Sequence, residues 1–242
     1  MIRNLFIALL RKTGKQYAPS EKIPTSAFAH ELITRCITLI RGMIRMQRKV
    51  FVDKGVRIRG KSLLTLGSFS TIQEYCNIDA VSEDGVHIGA RCKIGAYTQI
   101  RCTNHFSTLG KGVRMGNDSG IGQFSFIGAA GGVTIGNDVI MGQYVSFHAQ
   151  QHVFDNPDLP IAKQGTTAQG IVIDDDVWVG AKVTFLDGAH IGSHSVVAAG
   201  SVVRGTFPPN SIIGGVPARI LRPTHGQTNN ELKDTIQTET AS

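Results

Sequence analysis

Two histidines stand at the start of a long segment that interrupts an otherwise regular sequence. His148 and His152 open residues 148–172, which lack the six-residue period found on either side. An imidazole titrates near neutral pH, so it can take a proton from a hydroxyl group that attacks a reactive carbonyl. His152 is therefore a candidate general base, and the alternative is a polar histidine on a loop surface. His148 follows an inward-facing position, so it would point outward beside His152, where it either helps the site or only adds surface polarity.

The length of this interruption is a second indication of function. Residues 148–172 form an excursion of 25 residues. Ordering so long a segment outside a regular framework costs conformational entropy. Loops of this length in compact domains usually carry function, so we expect the excursion to belong to an active site.

The element that must position the two histidines is a repeat of six residues. An aliphatic or aromatic anchor recurs every six positions in residues 173–203, and a small or β-branched residue follows four positions after each of the first five. This period matches neither an α-helix nor a flat strand. It indicates short strands separated by corners, as in a hexapeptide β-helix. The anchors are Ile173, Val179, Phe185, Ile191, Val197 and Val203.

The same period extends backward through the chain with a few breaks. Anchors recur from Ile58 to Phe147, irregularly at first and with interruptions at residues 103–107 and 131–132. Three faces of six residues make one turn, so we expect about seven turns stacked at the ordinary strand separation of about 4.8 Å. Each turn contacts only its neighbours, so the ends of the coil need caps.

Composition and charge narrow the class of protein. The chain has 242 residues, 28 glycines and one tryptophan, which suits a thin repeated core. Residues 1–61 contain fourteen Lys and Arg against three Asp and Glu, whereas residues 62–242 contain eleven against fifteen. The net charge of +7 is therefore an N-terminal property, which argues against a nucleic-acid-binding protein. The sequence contains no apolar run long enough for a transmembrane helix.

The four cysteines, Cys36, Cys76, Cys92 and Cys102, show no paired spacing. Cys76 and Cys92 each lie four residues after a repeat anchor, where a small buried side chain is needed. We expect reduced, structural cysteines of a cytosolic protein rather than disulfides.

The N-terminal part allows two interpretations. Residues 1–10 resemble a signal peptide but lack a cleavage site. Residues 27–47 place apolar side chains on one broad stripe interleaved with arginines, which predicts a helix. The helix could be an anchor on an anionic membrane surface or a cap on the open end of the β-helix, and the two roles are compatible. The stripe consists of Phe28, Leu32, Ile33, Cys36, Leu39, Ile40, Met43 and Ile44, and the arginines are Arg35, Arg41, Arg45 and Arg48.

Several motifs in residues 56–222 resemble the hexapeptide-repeat acyltransferases. They are the repeated Ile-Gly pairs, Asp-Val-Trp-Val-Gly-Ala at 176–181, Ala-Ala-Gly-Ser-Val-Val at 198–203, Pro-Pro-Asn at 208–210 and Gly-Gly-Val-Pro-Ala-Arg at 214–219. The chain is most similar to the maltose and galactoside O-acetyltransferase branch, including enzymes that acetylate bacterial surface polysaccharides. The resemblance implies an all-β fold: a left-handed parallel β-helix with an N-terminal helical segment and a long extruded loop.

The resemblance also implies a homotrimer, acetyl-CoA as co-substrate and an active site between subunits. In this family the general base occupies the position of His152, and no metal is expected. Ala181, Ala199 and Gly200 match positions that line the groove for the pantetheine arm. Arg219 and Arg222 match basic residues that meet the nucleotide phosphates. Arg204, which stands where the family often has Thr followed by Lys, is a further expected cofactor-binding residue.

The acceptor side departs from the sugar acetyltransferases, which carry an Asn and acidic residues on the wall one turn before the histidine. Gln123 stands there instead, so a maltose or galactoside acceptor is in doubt. We expect Gln123, His148 and Trp178 to contact the acceptor, a carbohydrate or lipid-linked glycan. The alternatives are N-acetylation of an amino sugar or antibiotic, a metal enzyme of the γ-carbonic-anhydrase type, and a non-catalytic scaffold.

These expectations divide the chain into three parts. Residues 1–50 form a basic helical segment, residues 51–222 form the β-helix with its loop at 148–172, and residues 223–242 form a flexible tail. We expect a cytoplasmic protein with peripheral contact at the inner face of the membrane.

Overall fold

The computed structural model describes residues 19–20, 22–103 and 108–224, together with Ile7. Residues 51–223 coil into a three-sided column in which every third strand belongs to the same sheet. The three sheets are called faces A, B and C, and the edges between them are the AB, BC and CA corners. One helix, α1 (Thr25–Met46), precedes the column. The predicted start of the N-terminal segment and the predicted tail from residue 225 onward lie outside the described residues.

The strands are short, and their bounds follow the repeat. Face A contains β1 (Phe51–Val52), β4 (Thr71–Ile72), β7 (Lys93–Ile94), β10 (Gly120–Ile121), β13 (Ile140–Met141), β18 (Trp178–Val179), β21 (Val196–Val197), β24 (Ser211–Gly215) and β25 (Ala218–Pro223). Face B contains β2 (Arg57–Arg59), β5 (Asn77–Asp79), β8 (Gln99–Arg101), β11 (Phe126–Gly128), β14 (Ser146–His148), β19 (Thr184–Leu186) and β22 (Val202–Val203). Face C contains β3 (Leu64–Leu66), β6 (Val86–Ile88), β9 (Val113–Met115), β12 (Val133–Ile135), β17 (Ile171–Ile173), β20 (His190–Ile191) and β23 (Thr206–Phe207).

The repeat anchors form one continuous core inside the column. All pairings within the three faces are parallel except the last, between β24 and β25. Because the register is in phase, like side chains stack from turn to turn, as Ile100 does on Ile127 and Ile127 on Phe147. Burying this column of aliphatic side chains stabilises the coil by roughly 1.5–3 kcal/mol for each fully buried residue.

The AB corner carries a ladder of aromatic rings. Tyr75, Tyr97, Phe124 and Tyr144 occupy equivalent positions in four consecutive turns, and each has a positive φ of 57° to 60°. A non-glycine residue in this left-handed region is strained by about 1 kcal/mol or more. The rings stack with centroids 5.0 to 5.3 Å apart, which offsets part of that strain.

The backbone hydrogen bonds join each turn to the next in both directions. Phe51 N of the first turn donates to Ser70 O at 2.8 Å and Asp53 N to Ile72 O at 2.9 Å, whereas Tyr75 N of the second turn donates back to Lys54 O at 3.0 Å. The carbonyls of the first turn that point away from the second turn have no strand before them to supply donors. Buried or half-buried carbonyls of this kind need another donor.

Three arginines of α1 and its C-terminal flank supply those donors. Arg41 donates to Val52 O at 3.2 Å, Arg45 donates from both terminal nitrogens to Val56 O at 3.1 Å, and Arg48 donates to Leu66 O at 3.4 Å. These carbonyls lie on face A, at the AB corner and on face C, so α1 lies over the open end of the column.

The contact between α1 and the column is close, and most of the apolar stripe lies on the outer side of the helix. A Cβ at Gly42 would collide with the carbonyl of Val50, and Phe28, Thr38 and Gly42 are the buried residues of α1. Most of the apolar stripe does not seal the column: Ile33, Cys36, Ile40, Met43 and Ile44 are exposed, and so is the neighbouring Ile37. The cap thus combines arginine donors with close packing at Gly42 and Met46, while the exposed isoleucines point away from the column. No helix in the described part of the chain is long and apolar enough to cross a membrane.

The arginine cap makes a testable contribution to stability. Replacing Arg45→Met removes both donors from the Val56 carbonyl and keeps a side chain of similar length. We expect the free energy of unfolding to fall by about 1–3 kcal/mol, because a half-buried acceptor loses its partner. Urea denaturation measures this, and Lys22→Met, which changes an exposed lysine before α1, is the control. Equal loss in both variants would contradict the cap.

The cysteines are free thiols, as expected from their spacing, and Cys76, Cys92 and Cys102 are buried whereas Cys36 is exposed. Burial raises the pKa of the Cys76 and Cys102 thiols to about 11 and also raises the pKa of Cys92. The folded protein therefore holds these protons more tightly than the unfolded chain, whose thiols have a pKa of about 8.5.

Two outcomes follow for the thiols. At about pH 8, a thiol reagent should modify Cys36 in the native protein and all four cysteines in urea. As pH rises from about 8.5 toward 11, the unfolded state loses its thiol protons first, so the stability contributed by the buried thiols is lost over that window. Urea midpoints measured across this range check the second outcome, and a midpoint rising with pH would contradict it.

Candidate active site

The excursion that begins at His148 is an ordered hairpin that leaves the column at the BC corner. Strands β15 (Gln151–His152) and β16 (Thr166–Thr167) pair antiparallel, with His152 opposite Thr166. The Gln150 amide donates to Thr166 Oγ1 at 2.9 Å, and Val153 N donates to Gly165 O at 3.1 Å. His152 therefore sits in the paired base of the hairpin, and its side chain is exposed.

The tip of the hairpin is held by one glutamine. Gln164 donates through Nε2 to Asn156 O at 2.8 Å and to Leu159 O at 2.7 Å, and its Oε1 accepts from Asn156 N at 3.0 Å. A short 3₁₀ turn, Ile161–Lys163, precedes it. Three apolar side chains of this region are exposed: Phe154 (61%), Leu159 and Ile161. The excursion is thus fixed internally but leaves apolar surface uncovered within one chain.

The return of the chain to the column is fixed by Asp187, at the BC corner one turn later. Its carboxylate accepts from Gln169 N and Gly170 N, each at 2.9 Å. The Gly188 N–H also donates to Gly170 O at 2.8 Å. Sequence reasoning missed Asp187, although an Asp-Gly pair about one turn after the end of the excursion is a usable signal for such a clamp.

His148 stands at the end of β14 on the outer surface of face B, between Gly128 and Leu186 on the neighbouring strands. The Phe126 ring lies over Gly128, where a Cβ would come 2.9 Å from the ring. The same ring is tilted against the His148 imidazole, with centroids 5.7 Å apart. Gly128 thereby lets Phe126 reach His148, and this aromatic contact limits the orientations of the imidazole.

The predicted cofactor residues lie on the last turns, at two corners and one face. Ala181, Ala199 and Gly200 lie at the AB corner, and the Ala181 carbonyl already accepts from Gly200 N at 2.9 Å. Gly200 has a φ of 74° and no heavy atom near the position that a Cβ would take, so there is open space at this corner. Arg204 is exposed at the BC corner directly after β22.

Arg219 and Arg222 lie on β25, opposite Gly214 and Ile212 of β24. Each donates to a neighbouring backbone carbonyl, Arg219 to Ala218 O at 2.9 Å and Arg222 to Pro223 O at 3.2 Å. Both side chains remain exposed. They are therefore open to a ligand at the C-terminal end of face A.

The predicted acceptor residues are also spread over the surface. Gln123 lies at the AB corner and lines a shallow cavity of about 340 Å³ with Gln73, Lys93 and Gln143, over the bare Gly120. Trp178 is 59% exposed on face A and pairs in register with Ile140 and Val196. A single chain does not bring His152, Gln123, Trp178 and the cofactor residues into one pocket.

Two further histidines have partners that spacing did not reveal. His190 and His194 point outward, with His190 Nε2 3.2 Å from Asp174 Oδ2 and His194 Nδ1 2.6 Å from Asp176 Oδ2. Each aspartate precedes its partner by about one turn, which is the signal that could have identified the pairs. Among the residues that the structure describes, no three His, Cys, Asp or Glu side chains are grouped to hold a metal ion.

Comparison with known proteins finds similarity over parts of the chain. Residues 170–205 match the family described as bacterial transferase hexapeptide (six repeats). A Bacillus cereus protein named as an acetyltransferase superposes with a TM-score of 0.52 at 21% identity, covering 77% of this chain and 91% of that one. The resemblance to the hexapeptide-repeat acyltransferases is confirmed, and so is the fold: a left-handed parallel β-helix with an N-terminal helix and an extruded loop.

Two relatives from Escherichia coli strain K12 match part of the chain. WbbJ, named for O-acetyl transfer in lipopolysaccharide biosynthesis, is 33% identical over 128 residues, covering 50% of this chain and 65% of WbbJ. Galactoside O-acetyltransferase is 35% identical over 91 residues, covering 37% of this chain and 43% of that enzyme. The matched stretch thus spans less than two-thirds of the length of either relative.

The Asp187 clamp can be tested through the motion of the excursion. In Asp187→Ala, the N–H groups of Gln169 and Gly170 lose a charged acceptor worth about 1.5–3 kcal/mol. We expect hydrogen exchange in residues 150–168 to accelerate by about tenfold or more, with little change in the core strands. Asp155→Ala, which removes an exposed carboxylate on the excursion itself, is the matched control. Unchanged exchange in Asp187→Ala would show that the clamp is unimportant.

Proposed function

We propose that this protein is an acetyl-CoA-dependent O-acetyltransferase that acetylates a sugar hydroxyl. The observation that carries the proposal is an exposed imidazole, His152, held in the paired base of an ordered hairpin on a hexapeptide β-helix. The names of the two relatives, both O-acetyl transferases, support the same chemistry.

In the proposed reaction His152 takes the proton from the acceptor hydroxyl as that oxygen attacks the thioester carbonyl of acetyl-CoA. The tetrahedral adduct collapses, the carbon–sulfur bond breaks, and the imidazolium returns the proton to the CoA thiolate. No covalent enzyme intermediate is required. Positioned general-base catalysis of this kind contributes about 10²–10⁴-fold to the rate.

The open corner beside Gly200 fits a thin ligand. A Cβ there would meet nothing within 4 Å, and the adjacent Ala181 and Ala199 carry only methyl side chains. We propose that the pantetheine arm of acetyl-CoA lies along this corner, with the nucleotide phosphates reaching Arg219 and Arg222. Exposed guanidinium groups suit phosphate because their planar donors match its oxygens.

The proposed site is completed by a neighbouring subunit of a homotrimer. His152 leaves the column at the BC corner, whereas the groove residues lie at the AB corner of the same chain. The uncovered side chains of Phe154, Leu159 and Ile161 favour a hairpin that packs on a partner. A homotrimer would let the hairpin of one subunit close the groove of the next.

For the acceptor we propose a surface polysaccharide or its lipid-linked precursor. The name of WbbJ supports a glycan acceptor. Gln123 and its neighbours Gln73 and Gln143 offer amide donors and acceptors suited to sugar hydroxyl groups. A lipid-linked acceptor would place the enzyme at the inner face of the membrane.

The role of His152 is tested by His152→Ala and His152→Gln. We expect kcat for acetyl transfer to fall by about 10²–10⁴-fold in both, because the attacking hydroxyl loses its base. CoA release, followed with sugars bearing only hydroxyl groups and with amino sugars, measures the rate and separates O- from N-acetylation. His30→Gln, an exposed histidine of α1, is the control.

Light scattering should show the same trimer for the His152 variants and the original protein. Undiminished transfer in His152→Ala would remove His152 from the mechanism. Transfer to amino sugars only would replace O-acetylation by N-acetylation.

A further inference from the structure

The outer surface of α1 is an uncharged strip of aliphatic side chains. Ile33, Ile37, Ile40 and Ile44 recur at intervals of four, three and four residues, so they share one side of the helix. Their exposed fractions are 59%, 49%, 53% and 75%. Together they form the isoleucine face, which extends over about 16 Å at 1.5 Å per residue.

The orientation of α1 is fixed by the column and not by the isoleucine face. Arg41, Arg45 and Arg48 hold the helix over the first turn through the Val52, Val56 and Leu66 carbonyls. Phe28, Thr38 and Gly42 are the buried residues of α1, so they mark the side of the helix that faces the column. At about 100° per residue, the isoleucine face is centred on the side opposite these three residues. The isoleucine face is therefore displayed at the end of the molecule, away from the β-helix core.

Charge indicates what covers this face. Residues 19–50 contain six Lys and Arg and two Asp and Glu, and the Glu31 carboxylate is paired with Arg35 at 2.9 Å. Lys22, at the start of α1, and Lys49, after its end, are both exposed. A second copy of the same end would bring two strongly basic segments together and be repelled, whereas an anionic lipid surface would be attracted.

We propose that the isoleucine face inserts into the headgroup region of an anionic bilayer, with α1 lying in the plane of the membrane. Aliphatic side chains would enter the boundary between headgroups and acyl chains, and the flanking lysines would meet lipid phosphates. The three arginines that donate to backbone carbonyls do not contact lipid. They contribute to membrane binding only through the electrostatic attraction of their positive charge to anionic headgroups. The membrane proposal rests on the proposed function in one respect: a lipid-linked acceptor would explain why the enzyme binds a membrane.

Vesicle flotation of the full chain tests the proposal directly. We expect the protein to float with vesicles of phosphatidylcholine and phosphatidylglycerol in equal amounts, to bind phosphatidylcholine alone at least about tenfold more weakly, and to release in high salt. The combined variant Ile33→Ser, Ile37→Ser, Ile40→Ser and Ile44→Ser should lose at least about tenfold in binding to the anionic vesicles. Leu63→Ser, an exposed leucine outside α1, is the control and should bind as the original does.

The native Cys36 gives a second measurement on the same helix. It is the exposed cysteine, whereas Cys76, Cys92 and Cys102 are buried, so an environment-sensitive thiol dye can be attached there in the folded protein. We expect the emission to shift to the blue on adding anionic vesicles. Should the fourfold variant unfold, Ile44→Ser alone should still show a several-fold loss of binding.

Equal binding by the fourfold variant and the original protein would overturn the proposal, as would absence of binding to anionic vesicles. Dissociation of an assembly in the fourfold variant, seen by light scattering without vesicles, would show that a second copy covers the face. None of these measurements involves acetyl transfer, so a failure here is distinguishable from a failure of the proposed enzyme activity.

Discussion

The structure depends on how the two open ends of its parallel coil are closed. Each inner turn is hydrogen-bonded to the turn before it and to the turn after it, whereas an end turn has a neighbour on one side only. At the first end, arginine side chains of α1 and its flank, which can only donate, bind the Val52, Val56 and Leu66 carbonyls. On face A the last end is met by β25, which folds back antiparallel on β24. The two ends are therefore closed by different devices: side-chain donors at the first and a reversed strand at the last.

The same regularity explains where chemistry can occur. Outward side chains on short flat strands give shallow surfaces, and the cavity at Gln123 is of this kind. A general base needs a defined position near its proton donor, which flat faces alone do not supply. The excursion after His148 would supply it for the proposed base, His152, because Gln164 and Asp187 fix the hairpin at its tip and at its exit. Since the groove residues lie at a different corner, the regular column also accounts for the proposed need for a second subunit.

The sequence predicts the column well because stacking makes the period a direct record of burial. The anchors Ile173 to Val203 are buried, and the in-phase register follows from equal turns. The side of α1 that faces the column could not be predicted from a hydrophobic period. A hydrophobic stripe normally faces the core, but here the close approach of Gly42 to Val50 and the arginine contacts with carbonyls at the end of the column turn another side inward. The Asp174–His190 pair was missed because outward spacing alone does not show which residue lies one turn away. The aromatic ladder was missed because its members are separated by turns of unequal length.

The unequal distribution of charge now has a physical explanation. Arg41, Arg45 and Arg48 donate to carbonyls at the first end, so part of the N-terminal excess of basic residues serves the open end of the coil and not only a partner. The isoleucine face then limits the geometry of the proposed reaction. His148 lies on the fifth strand of face B, four steps of about 4.8 Å from the first turn, and so about 19 Å along the column from that end. An acceptor attached to a lipid in the bilayer below α1 would have to extend at least that far. The geometry thus favours a sugar several units from the lipid over the one attached directly to it.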